Sequence, residues 1–279
     1  MDHAIEKGLL IGRGMTAEVY EWGRNRVIKL FYPSIPLDWV QYEVEISTIV
    51  SSAGIPAPAP FGIVETEGRH GIVYERIIGR TMLKQISSKP WRIAAYGRML
   101  ARLHGRMHRS DGIGKGLPEQ SKRLAEAIRQ SEDLLGGRAE AICAYMKKLP
   151  GGSSICHGDF HPDNILLHGP EESPAIIDWT DTYVGNPLAD AARTSILLSS
   201  PFIPPGIPVL FIPAMKIMKR VLSRTYLQTY MRLTGVEPKD LDAWLLPVAA
   251  ARLREHLPGE RQWLLQFIEA RWALVQKQQ

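Results

Sequence analysis

Eight residues, HGDFHPDN at 157–164, constrain the fold of this chain more than any other segment. A loop that needs only solubility uses lysine and glutamate. Histidine, aspartate and asparagine at fixed spacing point instead to a metal, a proton transfer, or both. Pro162 lacks an amide donor and bars a helix interior between Asp159 and Asn164. Two short apolar runs follow, NILLH and PAIID, joined by GPEES. They predict a turn that opens into a two-stranded hairpin. That hairpin interrupts a region whose pattern is otherwise helical, so the architecture must return to strand in the middle of a helical half.

Such a hairpin brings Asn164 and Asp178 together at its open end. Oxygen donors at both positions suit Mg²⁺, which prefers carboxylate, carbonyl, water and phosphate. Asp159 is left nearby as an acceptor for a proton. A rival reading is a transition-metal site built from His157, Asp159 and His161. It lacks a distal histidine, because His168 falls in the hairpin and His256 in a basic helix. A purely structural polar loop is the third reading.

Before this segment the pattern divides. LLIGRG, AEVYEWG and RVIKLFY read as glycine-punctuated strands, residues 36–54 as a helix ending at Gly54, and residues 61–77 as a hairpin turning near Gly68 to Gly71. Beyond Gly79 the pattern is mostly helical, over 89–108, 120–135 and 138–149, with three more helical stretches after the hairpin. The fold class is α+β, with one expected boundary: a β-rich part at 1–78 and a helical part at 79–279.

Composition narrows the function classes. The chain of 279 residues is 45% hydrophobic and has two cysteines, Cys143 and Cys156, which excludes a disulfide scaffold and fits a reducing interior. The opening MDHAIEKGLL has no apolar core of a signal peptide, so a cytoplasmic location is expected. Thr194 to Met215 carries no formal charge but holds five prolines, and reads as a folded apolar loop rather than a membrane span. Packing of that loop against the helical half is the favoured reading, a lid over a less polar acceptor the alternative. The net charge is +5 and the pI about 9.2. The basic residues look scattered along the sequence, with no aromatic-interleaved stripe, so no nucleic-acid partner is expected.

Gly12 and Gly14 lie between two predicted strands, where glycine lets backbone amides approach an anion and tolerates positive φ. A glycine-rich hairpin turn is the bland alternative. Lys29 alternates with Ile28 and Leu30 and faces away from them. It is either a solvent-facing lysine or a cation for phosphate oxygens, held by a carboxylate of the next helix. Glu43 and Glu45 stand about 200° apart around that helix, so at most one can face it.

Together these residues carry a resemblance. H-x-D-x-x-x-x-N, with an aspartate fourteen residues later after an apolar run, is similar to the catalytic and metal segments of the protein-kinase-like fold. HGDFHPDN with IIDW resembles the aminoglycoside phosphotransferase and choline kinase superfamily, over roughly Leu10 to Leu265. The resemblance implies a two-lobed fold, with a small β-rich N-terminal lobe and a larger helical C-terminal lobe that bind Mg²⁺–nucleotide between them. It implies transfer of the γ-phosphate of ATP or GTP to a hydroxyl of a small molecule. Asp159 would orient or deprotonate that hydroxyl. Asn164 and Asp178 would hold Mg²⁺, Lys29 the phosphates, and Glu43, the better match to the family's helix glutamate, would hold Lys29. Backbone groups of Glu75 and Ile77, in VYERIIGRT, would read the base. His157 would brace the catalytic loop, and Asp190 would steady it from a helix.

The departures bear on function. Ala17 stands for a third glycine, Asn186 for a frequent aspartate, and Trp179 follows Asp178 where a protein kinase has Phe-Gly. There is no A-P-E segment, which counts against a protein kinase, while the intact set of Lys29, Asp159, Asn164 and Asp178 counts against an inactive scaffold. From Ala191 onward six acids face twelve lysines and arginines, so an aminoglycoside is not the expected acceptor. Trp179, Tyr183, Trp244, Trp263 and Trp272 are available to a choline-like cation, but aromatics at helical spacing are more often core.

Overall fold

The computed structural model describes residues 7–203, 209–257 and 259–277. Those residues fall into two compact units, one within the ranges 1–84 and 163–181, the other within 85–162 and 182–279.

In the first unit, β1 (Lys7–Arg13), β2 (Ala17–Trp22), β3 (Arg26–Phe31), β4 (Pro60–Thr66) and β5 (Arg69–Glu75) form an antiparallel sheet in the order β1-β2-β3-β5-β4. The β4–β5 turn falls at Glu67 and Gly68, with φ of 54° and 65°, the paired positive values of a tight hairpin turn. Alternation divides the sheet's two faces. Ile28 and Leu30 pack with Trp22 and Val73 on one face, while Phe31 packs with Ala17, Ile72 and Val40 on the other. Val40 belongs to α1 (Leu37–Ser52), so α1 covers the face that Lys29 shares with Phe31.

The boundary expected at Gly79 misses a return of the chain. β6 (Gly79–Thr81) pairs with β8 (Ile165–His168), which pairs with β9 (Ser173–Ile176), so the hairpin joins the first unit. α2 (Met82–Ser88) then leads into the second unit. There, α3 (Ile93–Met107), α4 (Gln120–Arg129), α5 (Glu132–Leu135) and α6 (Ala139–Met146) precede β7 (Ser154–Cys156). A two-stranded ribbon joins β7 to β10 (Tyr183–Gly185), and α7 (Pro187–Ser199), α8 (Ile212–Thr234), α9 (Pro238–Arg252) and α10 (Arg261–Gln276) complete the unit.

Several expectations need correction. The helix read over 120–135 breaks at Ser131, whose hydroxyl bonds the Ala127 carbonyl and competes with the helical ladder. The apolar run from Thr194 is helical to Ser199 and again from Ile212. Pro204, Pro205 and Pro208, and the opening residues 1–6, lie outside the described residues. Val209, Leu210 and Phe211 are exposed rather than packed against the helical unit. No helix among the described residues is long and apolar enough to cross a membrane.

Candidate active site

In the first unit the hairpin does what its pattern requires. Ile165 pairs with Ile176, and the Ile177 amide donates to the Asn164 carbonyl at 3.0 Å. Asn164 and Asp178 therefore stand at the same open end. Asp178 adopts φ +65°, a conformation unfavourable for most side chains and tolerated by aspartate. Lys29 Nζ lies 2.7 and 2.9 Å from the two Glu43 oxygens and 3.4 Å from Asp178 Oδ1. Glu43 is buried and also accepts from the Tyr74 hydroxyl at 3.2 Å, whereas Glu45 is exposed. Burial alone would lower the Lys29 pKa, but Glu43 and Asp178 outweigh it, so the ammonium is held above its ordinary value.

Gly12 pairs with Val19 in the β1–β2 ladder, and the Gly14 amide donates to the Ala17 carbonyl at 2.8 Å. Neither glycine takes the positive φ allowed for in the sequence. Glu75 ends β5 and its amide donates to the Ala59 carbonyl at 2.9 Å; Ile77 follows in the connection to β6.

In the second unit Asp159 follows β7. Arg193 of α7 donates to Asp159 Oδ1 at 3.2 Å, and His161 Nε2 lies 3.2 Å from Oδ2. Burial raises the Asp159 pKa, but His161, Arg193 and His157 overcome this and hold the carboxyl well below its usual range. Arg193 also donates to Glu255 at 2.7 Å, and Glu255 accepts from Arg252, which pairs with buried Glu260. An alternating chain of charge thus runs from Asp159 to the end of α9.

The loop carrying Asp159 hangs on Asp190. This fully buried carboxylate accepts from the amides of His157 at 2.7 Å and Gly158 at 3.0 Å. His104 and His108 Nε2 reach it at 3.0 and 3.2 Å. An ionised carboxylate only accepts, so both Nε2 atoms carry protons. Each Nδ1 then accepts from a tyrosine hydroxyl, Tyr226 or Tyr230, both at 2.7 Å. Burial, then neighbouring His108, drive the His104 pKa down to about 3 against the pull of Asp190. His104, His108 and Asp190 have ligand-type atoms close together. Backbone amides aimed at the same carboxylate would oppose a cation there, and the cluster reads as a bracing network.

Asp190 and His157 were identified in the sequence; His104, His108, Tyr226, Tyr230, Arg193 and Glu255 were not. The only available signal was spacing, since His104 and His108, like Tyr226 and Tyr230, stand four apart on one helix face. Trp179, Tyr183 and Trp244 are core residues, and Trp263 lines a cavity of about 340 Å³ beside α7, on the side carrying Ser195 and Ser199. Cys156 ends a buried strand, and burial pushes its thiol well up.

Solved structures share this fold. An aminoglycoside-3'-phosphotransferase of type VIII matches with a TM-score of 0.60 at 18% identity, over 88% of this chain and 93% of that one. A Plasmodium vivax ethanolamine kinase matches with a TM-score of 0.61 at 13% identity, over 95% and 77%. The GDP complex of aminoglycoside 2'-phosphotransferase-IIIa matches with a TM-score of 0.57 at 16% identity, over 96% and 94%. Among curated proteins, the acyl-CoA dehydrogenase family member 11 of Homo sapiens is 28% identical over 196 residues, which cover 61% of this chain and 24% of that protein. The same protein of Pongo abelii is 27% identical over the same shares, so the chain spans about a quarter of the length of these relatives. The model of the phosphotransferase enzyme family matches residues 10–208, most of the chain, and on that match the chain belongs to this family.

Proposed function

We propose that the chain transfers the γ-phosphoryl group of a Mg²⁺-bound nucleotide to a hydroxyl of a small molecule. The observation that carries the reading is Lys29, clamped by both oxygens of buried Glu43 and reaching Asp178 at the hairpin end shared with Asn164. A lysine so held is a fixed cation, suited to phosphate oxygens. Asn164 and Asp178 are oxygen donors at the open end of one hairpin, and Asp178 is half exposed, which fits Mg²⁺. The metal would neutralise charge on the transferring phosphoryl group. Phosphoryl transfer asks for position and charge neutralisation rather than a strong base. Asp159 fits that demand: Arg193 and His161 keep it ionised and fix its orientation, so it accepts the hydroxyl's hydrogen bond and takes the proton late.

The same cations bear on the acceptor. Arg193 and His161 flank Asp159, and Glu255 is already shared by two arginines. An ammonium close to the transferring hydroxyl would meet Arg193 without a spare carboxylate among these partners. The proposed acceptor is therefore a hydroxyl compound without a dense set of ammonium groups, not an aminoglycoside. The relatives above whose names specify aminoglycosides or ethanolamine support the reaction class only.

Calorimetry with ATP and with GTP, each with and without Mg²⁺, tests the first step. Failure of folded protein to bind either nucleotide overturns the proposal. A nucleotide-consumption screen over aminoglycosides, macrolides, choline, ethanolamine, amino alcohols and sugars tests the second. Efficient turnover of a kanamycin-like compound at micromolar concentration overturns the acceptor assignment alone.

A further inference from the structure

The second unit holds a cavity that the proposed chemistry does not use. Its volume is about 340 Å³, and residues of α7, α8, α9 and α10 line it. Leu227 of α8 and Leu241 and Leu245 of α9 give it apolar walls. Trp263 and Phe267 stand four apart on α10 and so share one flank of that helix, with their ring centroids 5.5 Å apart. α7 contributes Ser195 and Ser199. At 3.6 residues per turn, Ser195 lies about 140° round α7 from Asp190 and about 160° from Arg193, and Ser199 about 180° from Asp190. Asp190 holds the amides of the Asp159 loop and Arg193 holds Asp159 itself. The cavity therefore lies on the flank of α7 turned away from that loop.

Size, lining and charge define what fits there. An apolar cavity of about 150 Å³ holds one benzene ring, so this one has room for about two fused rings. Trp263 and Phe267 are half-buried and offer ring surface to an aromatic ligand. Asp242 and Arg271 also line the cavity, but they pair with each other and leave no net charge for an ionic ligand. The polar feature of the α7 wall is Ser195. It is only 9% exposed, yet its hydroxyl has no hydrogen-bond partner among the described residues, whereas Ser199 has Ser223 at 3.3 Å. A serine hydroxyl both donates and accepts, and one held out of bulk water gains from a ligand oxygen.

We propose that this cavity binds a small neutral aromatic compound carrying a hydroxyl or carbonyl oxygen, its rings against Trp263 and Phe267 and its oxygen on Ser195. The site does not rest on phosphoryl transfer, so a chain carrying Asp159→Asn is expected to bind the same compound equally. The test is calorimetric titration of the full chain with 2-naphthol and with 2-methylnaphthalene, which differ only by hydroxyl against methyl. Both are expected to bind. Ser195→Ala should weaken 2-naphthol about fivefold and leave 2-methylnaphthalene unchanged. Leu227→Trp fills the cavity and should weaken both at least about tenfold. Leu227 is half-buried, as is Met231 one turn further along the same wall. Met231→Trp therefore replaces the first filling variant if circular dichroism shows that one unfolded. Failure of folded wild type to bind either probe up to its solubility limit overturns the proposal. So does binding that survives the filled cavity, which would place the probes elsewhere, or a Ser195→Ala variant that binds 2-naphthol as tightly as the wild type, which would leave the hydroxyl without a role.

Discussion

Acidification should destabilise this protein well before its carboxylates titrate, and His104 is the reason. In the folded chain burial holds its pKa at about 3, against an ordinary 6.5. The groups facing it are His108, Asp190, Tyr226 and the loop at His157. A depressed imidazole pKa means that, below pH 6.5, the unfolded chain binds a proton that the folded chain does not. Stability therefore falls as pH falls from about 6.5 toward 3, by about 1.4 kcal/mol per pH unit. Between pH 6.5 and 5 the loss from this one residue is about 1.6 kcal/mol, because the unfolded imidazole is already half protonated at pH 6.5, and it stays near that figure for any folded pKa below about 4. Asp190 has the opposite linkage: its folded pKa is depressed, so its contribution is complete above the ordinary value of 3.8 and is lost only below it. The window from pH 5 to 6.5 is thus free of Asp190. Against a net stability of about 5–15 kcal/mol the loss is large. Urea unfolding of the wild type and of His104→Gln, at several pH values in that window, measures it. The variant loses two hydrogen bonds and is expected to be weaker throughout, with a slope against pH shallower by about 1 kcal/mol per unit. Equal slopes in the two proteins would refute the reasoning.

Three further outcomes concern the proposed chemistry. Asp159→Asn should lower turnover by about a hundredfold to ten-thousandfold with nucleotide affinity nearly intact, whereas Asp178→Ala should weaken Mg²⁺-dependent nucleotide binding itself; full activity in Asp159→Asn would redirect attention to Asp163 or Asp181. Glu43→Gln leaves a buried ammonium without its main partner and should cost about 3–5 kcal/mol, so adding Lys29→Met should raise the melting temperature again; a double variant less stable than Glu43→Gln alone would contradict the clamp. Arg193→Gln should lower turnover in the wild-type background yet add little once Asp159 is Asn, with a coupling of about 0.5–3 kcal/mol; strictly multiplicative losses in steady-state kinetics would reduce Arg193 to a structural role.

What could be read from the sequence, and what could not, follows from the distance over which each feature is determined. The hairpin that brings Asn164 and Asp178 together is local: two apolar runs, a polar turn and Pro162 leave few alternatives. The choice between Glu43 and Glu45 is not local, because the apolar residues of α1 do not mark one face sharply. It is settled by the sheet, which fixes where Lys29 points and so which carboxylate is buried beside it. The grouping of 163–181 with the first unit depends on β6 pairing with β8, and three residues at 79–81 carry no strand pattern of their own. The bracing of the Asp159 loop lies furthest out of reach, because its histidines and tyrosines are 122 residues apart and become partners only when α3 and α8 pack. The groups assigned to phosphate and metal are thus set largely by local pattern. The groups that set the working state of Asp159 are products of helix packing.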